Sequence, residues 1–164
     1  MTLRPPQGAW AALADAPTAF YEGHAVLLPD GRVAWPGGAD PSQGAMGDVA
    51  SVAVYDPASD SWGSLPDMPR AREMQAAGMV KDTLYVFGGY DGSGPMASVE
   101  FLDLRQLGAW QQMEEMSSPR SYGAAARLGD TIYAIGGLKA QDMRKMCPIE
   151  AYDHASSTWG VVEV

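Results

Sequence analysis

The side chains able to do chemistry are few and scattered. His24 and His154 are the two histidines, and Cys147 is the single cysteine. A structural metal site draws on several ligands at short fixed spacings, and these three residues offer no such spacing, so no metal and no cofactor is expected. Nucleophilic catalysis needs a base held against the nucleophile by a third group. No Ser, Asp or Cys companion of His24 can be picked out by spacing, and His24 reads as a strand residue with ordinary hydrogen bonds. Glu114-Glu115 could suggest an acid/base couple, but adjacent residues on an extended chain point to opposite sides, and solvation is the better reading. Tyr90-Asp91-Gly92-Ser93-Gly94 is glycine-rich, yet no helix or Lys follows it in the place a phosphate loop requires. Lys139, Arg144 and Lys145 read as a solvated basic edge.

What organises the chain is a repeat. A Gly-Gly pair closes an apolar run three times, at Gly37-Gly38, Gly88-Gly89 and Gly136-Gly137, with spacings of 51 and 48. Trp62, Trp110 and Trp159 keep the same pace, each a short way behind Tyr55-Asp56, Leu102-Asp103 or Tyr152-Asp153. Each unit reads as four short strands. In the third they run Gly123 to Leu128, Thr131 to Ile135, Ile149 to Tyr152 and Thr158 to Val162, separated by turns at Gly129-Asp130 and Asp153 to Ser157. Nineteen Gly and twelve Pro punctuate the chain too often for long helices, so the fold is expected to be all-β. Four short strands cannot bury their faces alone, and the repeat therefore implies an array of such sheets.

Aligning the repeats on Gly-Gly without gaps puts Tyr21, Arg72 and Arg120 at one position, just before the first strand of each unit. The same alignment makes His24, Gln75 and Gly123 equivalent at the start of that strand. The segments after Gly-Gly vary most: Ala39 to Asp48, Tyr90 to Ala97 and Leu138 to Pro148. Variable loops on a rigid scaffold are where recognition sits, and Tyr90 and Tyr122 join Tyr21, Arg72, Arg120, His24 and Gln75 as partner-binding candidates.

A unit opened by Pro119-Arg120, closed by Gly136-Gly137 and followed by Tyr152-Asp153 and Trp159 resembles the kelch repeat of β-propellers. The resemblance implies one domain over 1–164, with four-stranded antiparallel blades at about 19–69, 70–118 and 119–164. Departures are the Leu28-Pro29-Asp30-Gly31-Arg32 turn, Leu102 where Tyr is usual, and one extra residue before Trp110. Trp10 stands 52 residues before Trp62, so residues 8–16 look like the last strand of an incomplete or exchanged blade. In adaptor-type kelch propellers the arginine at the position of Arg72 and Arg120 faces the channel mouth and receives acidic peptide groups; the other reading has both arginines paired with Glu or Asp of a neighbouring blade.

Closed propellers have about four to eight blades, and three blades are half of a six-bladed ring. The resemblance thus implies a non-catalytic protein-interaction module that closes its ring by homodimerisation, with completion by other polypeptide as the alternative. Kelch-like propellers also include a copper-dependent oxidase, whose Tyr, His and Cys set has no matching arrangement here, and a sugar mutarotase, which stays as the alternative function. A formal charge of −9 and a pI near 4.5 argue against a nucleic-acid partner. No apolar run is long enough to span a membrane, and a soluble cytoplasmic protein is expected.

Overall fold

The computed structural model describes residues 10–43, 47–139 and 142–163. The first sheet holds β1 (Val26–Leu27), β2 (Val33–Pro36), β3 (Val52–Asp56) and β4 (Ser61–Leu65), in that order. The second holds β5 (Ala76–Val80), β6 (Thr83–Phe87), β7 (Val99–Asp103) and β8 (Gln111–Gln112). In the third unit, β9 (Ala124–Leu128) and β10 (Thr131–Ile135) pair with each other, while β13 (Glu150–Asp153) and β14 (Thr158–Val161) complete the four. All pairings are antiparallel. The sheets fall within 19–69, 70–118 and 119–164. The third variable loop holds a hairpin the sequence did not announce, β11 (Leu138–Lys139) with β12 (Asp142–Met146). Among the described residues no helix is long and apolar enough to cross a membrane.

The landmark residues prove to be neighbours across strands. Tyr55 stands opposite Trp62, and Tyr152 opposite Trp159, with ring centroids 5.2 and 5.4 Å apart. In the second blade the extra residue is taken up by a short 3-10 turn, Leu104–Gln106, ahead of the buried Trp110.

Packing follows from the middle blade lying between the other two. In β6, Leu84 and Val86 join Val26, Val52 and Val54 of the first blade. Tyr85 and Phe87, pointing the other way, join Ile132, Ala134 and Tyr152 of the third. Strand side chains alternate between faces, so a sheet covered on both sides reads as the unbroken apolar run Leu84-Tyr85-Val86-Phe87. Each such side chain contributes about 1.5 to 3 kcal/mol on burial. The third blade is covered on one side only. Leu128 and Ile135 are 73% and 39% exposed, whereas their equivalents in the middle blade, Val80 and Phe87, are at 0% and 1%.

The Gly-Gly pairs are the seams between blades. Gly37 and Gly88 adopt φ of +67° and +65°, and a Cβ on either would lie 2.6 Å from the carbonyl oxygen of Arg72 or Arg120. Only glycine allows both that backbone and that approach. The next residue closes the seam, since the amides of Gly38 and Gly89 donate to those same carbonyls at 2.8 Å.

The leading segment differs from its expectation. Residues 10–16 join no sheet and Trp10 is fully exposed, while residues 8 and 9 lie outside the described ones. The third blade already has its own outer strand, β14. The phase survives even so. The Trp62 indole donates to Ala14 O at 3.0 Å just as that of Trp110 donates to Pro66 O at 2.7 Å, Ala14 and Pro66 each lying four residues after a tryptophan.

Candidate functional site

Arg72 and Arg120 are at 0% and 2% exposure. The Arg72 guanidinium lies 2.7 Å from Glu100 Oε1 and donates to Gly88 O at 3.0 Å. Arg120 pairs with Glu150 and donates at 2.9 Å to the carbonyls of Gly136 and Pro148, while Glu150 accepts from Ser117 N at 2.7 Å. Burial pushes Arg72 below its usual pKa and Glu100 above, and the opposite charge of each opposes the shift. Two corrections follow. These guanidiniums are closed to any acidic segment at the channel mouth, and their carboxylate partners come from the third strand of the same blade, not from a neighbouring one. Each pair ties the residue ahead of the inner strand to the middle of its own sheet.

The first blade solves that position differently, and the ungapped alignment concealed it. Tyr21 bridges Ala39 as Glu73 bridges Tyr90 and Ser121 bridges Leu138. The counterpart of Arg72 and Arg120 is therefore Phe20, and that of Gln75 and Gly123 is Gly23, not His24. The physical cause is the Leu28–Arg32 turn, which spends one residue more between paired Leu27 and Val33 than the second blade does between Met79 and Leu84. Glu100 and Glu150 in turn correspond to Ala53. Where the later blades bury an ion pair, the first sets Phe20 against Trp35 and Trp62, with ring centroids 6.1 and 6.3 Å apart.

Just ahead of the inner strands, three equivalent residues are held in left-handed backbone. Glu22, Met74 and Tyr122 have φ of +54°, +55° and +57°. They form a relay: Met74 N donates to Glu22 O at 2.6 Å and Tyr122 N to Met74 O at 2.9 Å. The Tyr122 hydroxyl reaches Glu22 Oε1 at 3.3 Å, and Glu73 is buried beside the same carboxylate. Desolvation, with Asp48 and Glu22 nearby, pushes Glu73 up to about 7. Asp48 is also raised, by burial and then by Asp91, and its Oδ1 is buried without a hydrogen-bond partner among the described residues.

Two sequence candidates meet here. Tyr90 and Tyr122, with Met74, Pro95, Leu138 and Lys139, line a groove of about 230 Å³ between the loops that follow the second and third Gly-Gly. Tyr21, next to Glu22 in the chain, is exposed and does not line this groove. Gln75 is buried with its amide on Pro36 O and fills the seam between blades one and two. Burial depresses the pKa of His24.

His154 goes elsewhere, its Nδ1 2.7 Å from the hydroxyl of Tyr85 in a cavity of about 560 Å³ between blades two and three. Cys147 is buried and touches Pro119 O at 3.5 Å. The side chains of Arg144 and Lys145 lie outside the described residues. Among those described, no three of His, Cys, Asp and Glu are grouped to hold a metal ion.

Glu22, Glu73, Asp48 and Met74 were not singled out in the sequence. Glu22 and Glu73 occupy neighbouring, non-equivalent repeat positions, so aligning repeats does not stack them; the fold does. Glu100 and Glu150 left a usable signal, each standing three residues before the Asp of the landmark pair.

Comparison with known proteins fits this architecture. The Kelch motif matches residues 71–117, the second blade. The chain is similar to the Kelch-like protein terF of Aspergillus terreus, 36% identical over 85 residues that make up 50% of this chain and 18% of that protein. It is also similar to Kelch-like protein 7 of Rattus norvegicus and of Mus musculus, 35% identical over 57 residues, covering 35% of this chain and 10% of each relative. The chain thus matches less than a fifth of the length of these curated relatives.

Proposed function

We propose that this chain, whose matches support a kelch-repeat family, is a non-catalytic protein-binding module that pairs with a second copy of itself to complete a six-bladed ring. One observation carries the ring: the two open sheet faces are the two halves of the contact already used twice inside the chain. The face bearing Leu128, Tyr133 and Ile135 is equivalent to that of Val80, Tyr85 and Phe87, which packs on a following blade. The open face of blade one, with exposed Leu27, is equivalent to the Met79 face that packs on a preceding one. A contact between unlike patches closes into a ring when its rotation fits the symmetry. The loops and channel mouth of such a ring are left to a partner.

Light scattering across a concentration series tests this. The expected mass is twice 17.4 kDa, and Leu128→Glu, which places a charge on the open face, is expected to return the chain to monomer. A monodisperse monomer at all concentrations overturns the pairing.

A further inference from the structure

We propose that the top face accepts a partner segment in which an arginine or lysine adjoins an apolar side chain, the apolar group seated in the Tyr90–Tyr122 groove and the cation on the Glu22 and Glu73 carboxyls. The inference rests on the protein-binding reading but not on ring closure, because every residue it uses belongs to one chain.

The top face carries charge without a counter-charge. Glu22, Glu73 and Asp48 converge at the mouth, and among the described residues no Lys or Arg forms an ion pair with any of them. Arg72, the nearest basic residue in sequence to Glu73, is committed to Glu100. Arg70 lies 4.0 Å from Asp91. Like carboxyls held together cost free energy that an incoming cation recovers; Glu73 is raised first by burial and then by the charges of Asp48 and Glu22 beside it. Asp48 Oδ1, buried and without a hydrogen-bond partner among the described residues, is a second acceptor for a donor.

The groove supplies the other half. Met74, Tyr90, Pro95, Tyr122 and Leu138 form an apolar trough, and Lys139 is the one cation on its wall among the described residues. Tyr122 links the two halves, since its ring lines the groove while its hydroxyl rests on Glu22. A side chain entering the trough therefore places its neighbour over the carboxyls. Tyrosine anchors are enriched at binding hot spots, and the carboxyls beside this one select against an acidic segment.

Fluorescence anisotropy with three labelled Gly/Ser octapeptides, carrying Arg-Leu, Glu-Leu or Arg-Ser at the centre, tests this on the whole chain. Arg-Leu is expected to bind, and to weaken as ionic strength rises; Glu-Leu is expected to be undetectable and Arg-Ser weaker than Arg-Leu. Glu22→Gln is expected to weaken Arg-Leu about three- to fivefold, and Tyr122→Asn about tenfold, asparagine being tolerated in left-handed backbone. Thermal melts establish that both variants fold, and the wild-type ranking of the three peptides decides the matter without them. Glu-Leu binding as well as Arg-Leu overturns the proposed charge preference while leaving a protein-binding face intact. Binding by none of the three overturns both the groove and the proposal built on it, whatever the solution mass of the chain.

Discussion

Blade one and the two blades after it put different chemistry at the same address. Ahead of the inner strand the later blades bury an arginine against a glutamate from the third strand, Arg72 with Glu100 and Arg120 with Glu150. Blade one has Phe20 and Ala53 there, with the phenyl ring on Trp35. Neither half of the pair survives alone. A buried ion pair and a well-packed apolar cluster are close in free energy, but half an ion pair leaves a bare charge in a poor solvent for it. The position is thus a structural joint that tolerates either complete solution, and arginine there does not mark a binding site.

Splitting the joint has the largest expected effect. Arg120→Met leaves Glu150 buried and unpaired, and about 3 to 5 kcal/mol of stability is expected to go in urea unfolding. Arg120→Met with Glu150→Leu is expected to recover most of it; a double variant as unstable as the single one would deny that the two solutions are interchangeable. The reverse experiment puts Ala53→Glu into blade one, where no arginine faces it, at an expected cost of about 2 to 4 kcal/mol. Adding Phe20→Arg is expected to restore part of the loss.

The seams extend the comparison from joints to edges. Gly88→Ala drives a methyl into Arg120 O, whereas a Cβ on Gly136 meets only the flexible end of Met146 at 3.2 Å. Both glycines have φ near +65°, so each substitution carries about 1 to 2 kcal/mol of backbone strain; in an unpaired chain Gly88→Ala is expected to melt lower by the added clash, whereas in the proposed ring the two losses are expected to be equal. Equal melting losses would mean that another blade covers Gly136 in solution.

The last comparison concerns pH. Glu73 has its folded pKa raised from 4.5 to about 7, so the folded state binds the extra proton between those values. Its contribution to stability is complete below about pH 4.5 and is lost as pH rises through about 7. Glu73→Gln is expected to lose that slope, so the difference between variant and wild-type stabilities is expected to change over pH 4.5 to 7; a flat difference would show that Glu73 titrates normally.

Most of the architecture was legible because it rests on local rules. Alternation, punctuating glycines and the Tyr-Asp to Trp spacing define strands that the structure reproduces to within a residue or two in blade three. What stayed hidden depends on distance. One residue added to the Leu28–Arg32 turn shifted the first repeat by a position and made Tyr21 resemble an arginine site. The burial of Arg72 and Arg120 follows from carboxylates 28 and 30 residues away, and the acidic mouth from three carboxyls that the repeat does not align. Trp10 kept its phase without its strand, because a strand needs a sheet edge beside it and a spacing does not.

The relay from Tyr122 through Met74 to Glu22 has a direction. Each blade's amide reaches back to the carbonyl of the blade before it, while at the seams Gly38 and Gly89 reach forward to Arg72 and Arg120. The top of the molecule therefore carries two counter-running tracks of peptide dipoles, laid like a two-lane road around the channel. Whatever joins either open edge must drive on the same side. In a second copy that completes the proposed ring, both tracks would continue in the same sense across each joining edge.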